Sequence, residues 1–288
     1  MVNVLRAIQS VVERPIPDLL DRYQGKNRIN NVGDALEILV KDIFAGTLDE
    51  ADEGKKIVKY EQIFSYLGNQ NNPPDAIVKN GDAIEVKKIE SFKAGIHLNS
   101  SYPKSKLVRN DPMITDSCRI IDGGNWQAKD LIYIIGVVKQ RQLKRLWFLL
   151  GDCYAADRDI YERIRTQISS GIRQIPGVEF SDTKELGRVN KIDPLGVTYL
   201  RIRGMWGIEN PVNVYHYLNL DYNENAYFQT FAILTAKKYF SCPRQDIESL
   251  EQMAKSNVNL KIADVKIQSP NNPAQLIDAK LITYTSFK

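Results

Sequence analysis

The chain is poor in histidine and cysteine. Among its 288 residues the only histidines are His97 and His216, so a histidine-rich metal centre or a histidine-based nuclease is a poor fit. Its three cysteines, Cys118, Cys153 and Cys242, are widely spaced and form no CxxC pair. That spacing argues against a disulfide framework or a structural zinc site and fits reduced thiols. No apolar run reaches the roughly 18–20 residues of a membrane span. The N-terminal Met1-Val2-Asn3-Val4-Leu5-Arg6 lacks a signal-peptide h-region. A soluble, cytoplasmic protein is the expectation. Repeats, low-complexity tracts and clear linkers are also absent. Charge of one sign is scarce: a net +4 permits a nucleic-acid partner without demanding one, since acidic metal ligands can offset a basic cleft.

What is present is an ordinary globular composition, 43% hydrophobic and 26% charged, which is ample for a sizeable core. Apolar spacing predicts a helix over residues 3–13, and another from Gly33 to Phe44 with Leu36, Leu39, Val40, Ile43 and Phe44 as its buried stripe. Asp49 to Lys56 reads as a charged loop. Leu131 to Val138 is a continuous run rich in β-branched residues, expected as a buried central strand. Leu146–Leu150 is expected as its neighbour across a basic turn holding Lys139, Arg141, Lys144 and Arg145. Asp157 is expected to cap a helix with Ile160, Ile164 and Ile168 turned inward. Val214 to Tyr222 reads as extended, Ile247 to Met253 as a short helix, and Leu281 to Phe287 as extended. The fold class is therefore α/β, a mixed central sheet flanked by helices in one domain.

The chemistry concentrates in one stretch, residues 71–88, Asn-Asn-Pro-Pro-Asp-Ala-Ile-Val-Lys-Asn-Gly-Asp-Ala-Ile-Glu-Val-Lys-Lys. It reads as strand, turn, strand. Ile84 and Val86 point one way, while Glu85 and Lys87 point the other. Asp75, then Glu85-x-Lys87, is the pattern of the PD-(D/E)xK nucleases. Phosphodiester hydrolysis needs a hard cation beside a phosphate oxygen, and hard cations want carboxylate oxygens. Asp75 and Glu85 can supply them, with the carbonyl of Val86 as a third ligand. The metal, Mg2+ by this reading, polarises the phosphate and activates water. Lys87 can hold the attacking water or neutralise developing charge. The alternative is a set of exposed charges on an ordinary hairpin.

Register decides between them. A two-residue Asn80-Gly81 turn would pair Asp75 with Val86 and put Asp75 on the wrong face. An odd loop, such as Lys79-Asn80-Gly81 with Gly81 in the left-handed position, pairs Asp75 with Glu85 and puts both carboxylates on the Lys87 face. An odd loop or a bulge is therefore expected, despite the Asn-Gly signal for a two-residue turn.

Longer strings carry a more specific resemblance. They include Gly25-Lys26-Asn27-Arg28-Ile29-Asn30, Gly33-Asp34-Ala35-Leu36-Glu37, Tyr66 to Asp75 and Asn80 to Lys88. Leu98 to Leu107, Gly151-Asp152-Cys153-Tyr154, Asp193-Pro194-Leu195-Gly196 and Arg201 to Trp206 complete them. The chain resembles the NgoPII-type type II restriction endonucleases, a PD-(D/E)xK family that cuts double-stranded DNA at GGCC. The resemblance implies a restriction-endonuclease-like fold spanning residues 1–288. Its catalytic core is expected at about 30–170, with about 171–288 contributing DNA recognition. It implies a Mg2+-dependent deoxyribonuclease working as a homodimer on a palindrome. A cognate DNA methyltransferase would be a functional, not physical, partner.

The resemblance also gives Glu37 a place near the metal, against the alternative of a salt bridge with Lys41. Asn99, Ser100, Ser101, Lys104 and Lys106 are candidate phosphate contacts or a polar surface loop. Arg201 and Arg203 are candidate guanine readers, since arginine matches guanine N7 and O6 with a bidentate fork; otherwise they are solvated arginines. Lys26, Arg28 and Asn30 are candidate backbone clamps or surface charges. The rival functions are a repair or junction nuclease with the same core, and a non-catalytic DNA-binding protein on a nuclease fold.

Overall fold

The run Leu131–Val138 sets the centre of the molecule. A computed structural model describes residues 2–15, 18, 32–69 and 72–287. In it this run is wholly buried within strand β6 (Ala128–Lys139). Strand β7 (Gln142–Leu150) pairs antiparallel to it through a tight turn in which Gln140 and Arg141 both take positive φ. Arg145, expected on a basic turn, is instead 1% exposed. Its guanidinium lies 4.7 Å from the ring centroids of both Phe92 and Tyr222, and its Nη2 donates to Gln229 Oε1 at 3.2 Å. Cation–π contact and one hydrogen bond offset the cost of its burial.

The other strands are β1 (Phe64–Asn69), β2 (Asn72–Val78), β3 (Ala83–Ile89), β4 (Ile96–Asn99), β5 (Lys106–Val108), β8 (Gly187–Val189), β9 (Leu200–Ile202), β10 (Trp206–Ile208), β11 (Phe228–Thr235), β12 (Leu260–Gln268) and β13 (Leu276–Ser286). The main sheet runs β1-β2-β3-β6-β7-β11-β13-β12, with β5 added beside β6. Its β3–β6 and β7–β11 pairs are parallel and the rest antiparallel, so the sheet is mixed, as expected. Two small ribbons, β4–β10 and β8–β9, stand outside it.

The principal helices are α1 (Val4–Glu13), α2 (Val32–Ala45), α3 (Glu53–Ile63), α4 (Arg158–Ile172), α5 (Ala236–Ser241) and α6 (Arg244–Ser256). Helix α2 buries the expected stripe and lies against β6. A Cβ on Gly136 would fall 2.6 Å from a Leu36 methyl, so a larger residue there would force the Leu36 side chain to shift.

Three expectations need correction. The charged loop at 49–56 is in part the start of α3, with the Asp52 carboxylate accepting from the Gly54 and Lys55 amides. Its Lys56 turns inward: Asp42, wholly buried on α2, accepts from Lys56 Nζ at 2.5 Å, Thr47 Oγ1 at 2.6 Å and the Tyr60 hydroxyl at 2.6 Å. Charge therefore did not mean solvation there. Val214–Tyr222 is not extended. Asn210 caps a helical turn at Pro211–Val214, followed by another at His216–Leu218. Finally, Ile160, Ile164 and Ile168 on α4 are exposed rather than inward, because α4 buries no residue within the chain.

The Asp42 cluster ties α2 to α3. Asp42→Ala leaves the Lys56 ammonium buried without its carboxylate, and should cost about 3–5 kcal/mol in a denaturant titration. A loss below about 1 kcal/mol would mean that the cluster is not a stabilising element.

Candidate active site

The hairpin between β2 and β3 has the odd loop. Ala76 pairs with Ile84 and Ile77 with Ala83, and the Val78 amide donates to the Asp82 carbonyl at 3.0 Å. The loop is therefore Lys79-Asn80-Gly81. Asn80, not Gly81, takes the left-handed conformation, at φ 53°. Asparagine tolerates that region. A Cβ on Gly81 would sit 3.2 Å from the Val78 side chain, a tight contact that a small shift of Val78 would have to relieve.

Carried one step outward, the register brings Asp75 opposite Glu85. The strands part at that point. The Asp75 side chain takes over from the backbone ladder, its Oδ2 accepting from the Val86 amide at 2.6 Å. Strand β1 also crowds this position. A Cβ on Gly68 would lie 2.2 Å from the Pro74 carbonyl oxygen and 3.1 Å from the Asp75 Cα, so any other residue would push β2 away.

Lys87 Nζ and Glu85 Oε1 are 2.6 Å apart, with side chains 24% and 14% exposed. Burial holds the Asp75 carboxyl well above the usual carboxylate range, and the Glu85 charge raises it further; Lys87 and the Val86 amide oppose them only in part. Burial acts to lower the Lys87 ammonium, but Glu85 and Asp75 outweigh it and the net shift is upward. Glu37 on α2 is raised chiefly by burial, is lowered by Lys41, and feels the charges of Lys87 and Glu85. The structure thus brings Asp75, Glu85, Lys87 and Glu37 into one electrostatic group.

Among the described residues, no group of three or more His, Cys, Asp or Glu side chains could hold a metal ion. Asp75 and Glu85 could hold a hard cation as two carboxylates, with a backbone carbonyl such as that of Val86 and with water. The donor chemistry fits. One oxygen of each carboxylate is engaged, by the Val86 amide and by Lys87, and the other has no such partner among the described residues. The raised Asp75 carboxyl marks a place where added positive charge would relieve strain between the two acids.

The remaining candidates divide. Asn99 and Ser100 are exposed, at the end of β4. Lys104 is buried: its Nζ reaches Ser101 Oγ at 2.5 Å and Asp111 at 3.4 Å, and burial pulls its amine down. Tyr133, the neighbour of Glu85 on β6, grips this segment by accepting from the Lys104 amide at 2.7 Å. Lys106 bridges Asp130 at 2.7 Å and Asp152 at 2.8 Å. These two ammonium groups are thus spent on protein carboxylates, while Asn99 and Ser100 stay open to a ligand. Lys26, Arg28 and Asn30 lie outside the described residues.

Arg201 and Arg203 are exposed on the β9 segment. Because β10 pairs with β4, Trp206 stands opposite Asn99. A cavity of about 250 Å³ results, lined in part by Asn72, Ser100, Arg165, Lys184, Glu185 and Arg203. It sets Ser100, just after β4, beside Arg203 and Glu185. Arg165 and Lys184 escaped the sequence reading because nothing local marks them; the pairing of β10 with β4 is what gathers the set.

The NgoPII restriction endonuclease family model matches residues 2–268. The chain belongs to that family. It is 48% identical over 284 residues to the type II restriction enzyme NgoPII of Neisseria gonorrhoeae, covering 98% of this chain and 99% of that protein. No solved structure matches the chain. Membership makes it a restriction endonuclease, and the mixed sheet is consistent with a restriction-endonuclease-like fold. No helix among the described residues is long and apolar enough to cross a membrane.

Proposed function

We propose that this restriction endonuclease hydrolyses phosphodiester bonds of double-stranded DNA at the palindrome GGCC, with Mg2+ as cofactor. The observation that carries the reading is the three-residue hairpin loop, which sets Asp75, Glu85 and Lys87 on one side of the β2–β3 pair. Asp75 and Glu85 would hold the cation, with the Val86 carbonyl. The bound metal would supply Lewis-acid polarisation of the phosphate and a more acidic water. Lys87, beside Glu85, orients the attacking water and offsets negative charge that develops on the phosphate. Glu37 completes the acidic group from α2.

Lys26, Arg28, Asn30, Asn99, Ser100, Ser101, Lys104 and Lys106 make up the proposed backbone-contacting set, with Lys104 and Lys106 acting chiefly by holding the loop that presents Asn99 and Ser100. Arg201 and Arg203 read guanines. The whole chain serves as one nuclease domain, to which residues 171–288 add recognition. The site sequence rests on the resemblance to enzymes that cut at GGCC. Work in the cytoplasm beside a methyltransferase that protects the same site completes the reading.

Plasmid DNA incubated with Mg2+ should yield discrete fragments whose sequenced ends all derive from GGCC. Chelator should abolish them. Undiminished cutting in chelator would remove the metal from the reading, and ends at unrelated sequences would remove the site.

Each chain carries one Asp75-Glu85-Lys87 group, whereas a palindrome presents two strands to cut. A second copy related by a two-fold axis supplies the other. Sedimentation of the protein on a cognate duplex should therefore give two 32.8 kDa chains per duplex. A single chain per duplex would overturn the dimer.

A further inference from the structure

The two candidate guanine readers share a single carboxylate. Glu185 Oε2 accepts from Arg201 Nε at 2.9 Å and Glu185 Oε1 from Arg201 Nη2 at 2.5 Å, a two-point contact. The same Oε1 lies 2.7 Å from Arg203 Nε. Glu185 is 15% exposed, while Arg201 and Arg203 are 48% and 56% exposed.

Which donors are used matters. A guanidinium has a side face, Nε and one Nη, and an end face formed by both Nη groups. Glu185 takes the side face of Arg201 and only the Nε of Arg203. Among the described residues no contact to either end face is seen, and both side chains reach solvent. An end face is a fork suited to the N7 and O6 of one guanine. Sharing Oε1 also keeps Arg201 Nη2 and Arg203 Nε within about 5 Å of each other, the sum of the two contact lengths. Successive bases on one strand are about 3.4 Å apart along the axis. The two forks are thus drawn to a spacing that adjacent guanines can meet, although Arg201 and Arg203 lie two residues apart on an extended segment, a separation of roughly 6.5 Å.

We propose that Glu185 is a positioning residue for base readout, aiming the forks of Arg201 and Arg203 at two neighbouring guanines. The inference rests on the proposed role of these arginines. Its location supports it, since Glu185 and Arg203 line the cavity that also holds Ser100 and Asn72. A rival role for the carboxylate is that of a stand-in for phosphate, occupying arginines that grip the DNA backbone. The two roles predict opposite responses when Glu185 is lost. A stand-in would free two cations, and binding would strengthen on every sequence.

The test is equilibrium binding in Ca2+ to a duplex carrying the cleavage site mapped from fragment ends, and to a scrambled duplex of equal composition. Glu185→Ala should weaken specific binding on the order of 10- to 100-fold, the cost of losing about one bidentate base contact. Non-specific binding should hold or rise slightly, because a negative charge is gone. Glu185→Gln keeps one acceptor oxygen and should recover part of the specificity ratio. Specific and scrambled binding moving together in both variants would overturn the positioning role. Arg201→Ala and Arg203→Ala separate the two levels. If they lower the ratio and the Glu185 variants do not, Glu185 is not the positioning residue. If the arginine variants leave the ratio intact, guanine reading itself fails, and the inference with it.

Discussion

Lys87→Ala should lower the single-turnover cleavage rate by roughly 10²–10³-fold or more, while binding to the specific duplex in Ca2+ changes little. The reasoning starts from where the ammonium stands. It is 2.6 Å from Glu85 and is held charged by Glu85 and Asp75 despite burial. A charge fixed in advance at that place acts on what develops in the transition state more than on the ground-state phosphate. Removing it also strips Glu85 of its partner, so a modest loss of stability should accompany the kinetic loss. Equal losses in binding and cleavage would make Lys87 a binding residue instead.

Asp75→Asn should abolish metal-dependent cleavage and yet stabilise the protein in chelator. Asparagine keeps an oxygen for the Val86 amide and sheds the charge that faces Glu85. The sign follows from the raised Asp75 carboxyl. A carboxyl raised by folding favours the folded state below its unfolded value, near 3.9, and loses that contribution as pH rises toward the folded value. The stability gap between Asp75→Asn and the parent should therefore open above about pH 4 and widen toward neutrality. A melting experiment reads it as roughly 2–4 °C for each ~1 kcal/mol relieved. Mg2+ or Ca2+ should raise the melting temperature of the parent and leave that of the variant unmoved. A cation response that survives in Asp75→Asn would place the metal elsewhere.

The interactions responsible for these effects were unevenly legible in the sequence. The central strand was plain, because eight consecutive apolar or small residues from Leu131 to Val138 can only be buried on both faces. Helix α2 was plain from its 3.6-residue stripe. Helix α3 was not, since Lys56 counted as a solvated charge until Asp42 on another helix was seen to receive it. Strand β11 escaped for a related reason: Gln229 and Thr230 interrupt an otherwise apolar run. Both are buried with their polar atoms satisfied by other elements, Gln229 by the Asp221 carbonyl and Thr230 by the Leu146 carbonyl. The isoleucines of α4 had the spacing of an inward face, but each stays more than a third exposed, outside the core among the described residues.

The odd loop beside Asp75 was legible in the sequence, because a β-strand has a period of two and the count from Asp75 to Glu85 leaves few registers that put both acids on one face. The residue at positive φ was not, since Asn80 and Gly81 both tolerate it, and in the folded loop it is Asn80. Only the tertiary structure decided which carboxylates pair with each of the basic candidates. Lys104, Lys106, Arg201 and Arg203 are all basic and equally suited to DNA on paper. The first two are held by Asp111, Asp130 and Asp152, and the last two converge on Glu185 with donors to spare. An ionic partner far along the chain leaves no local mark in composition or periodicity, and it comes within reach only when the strands that carry it are paired.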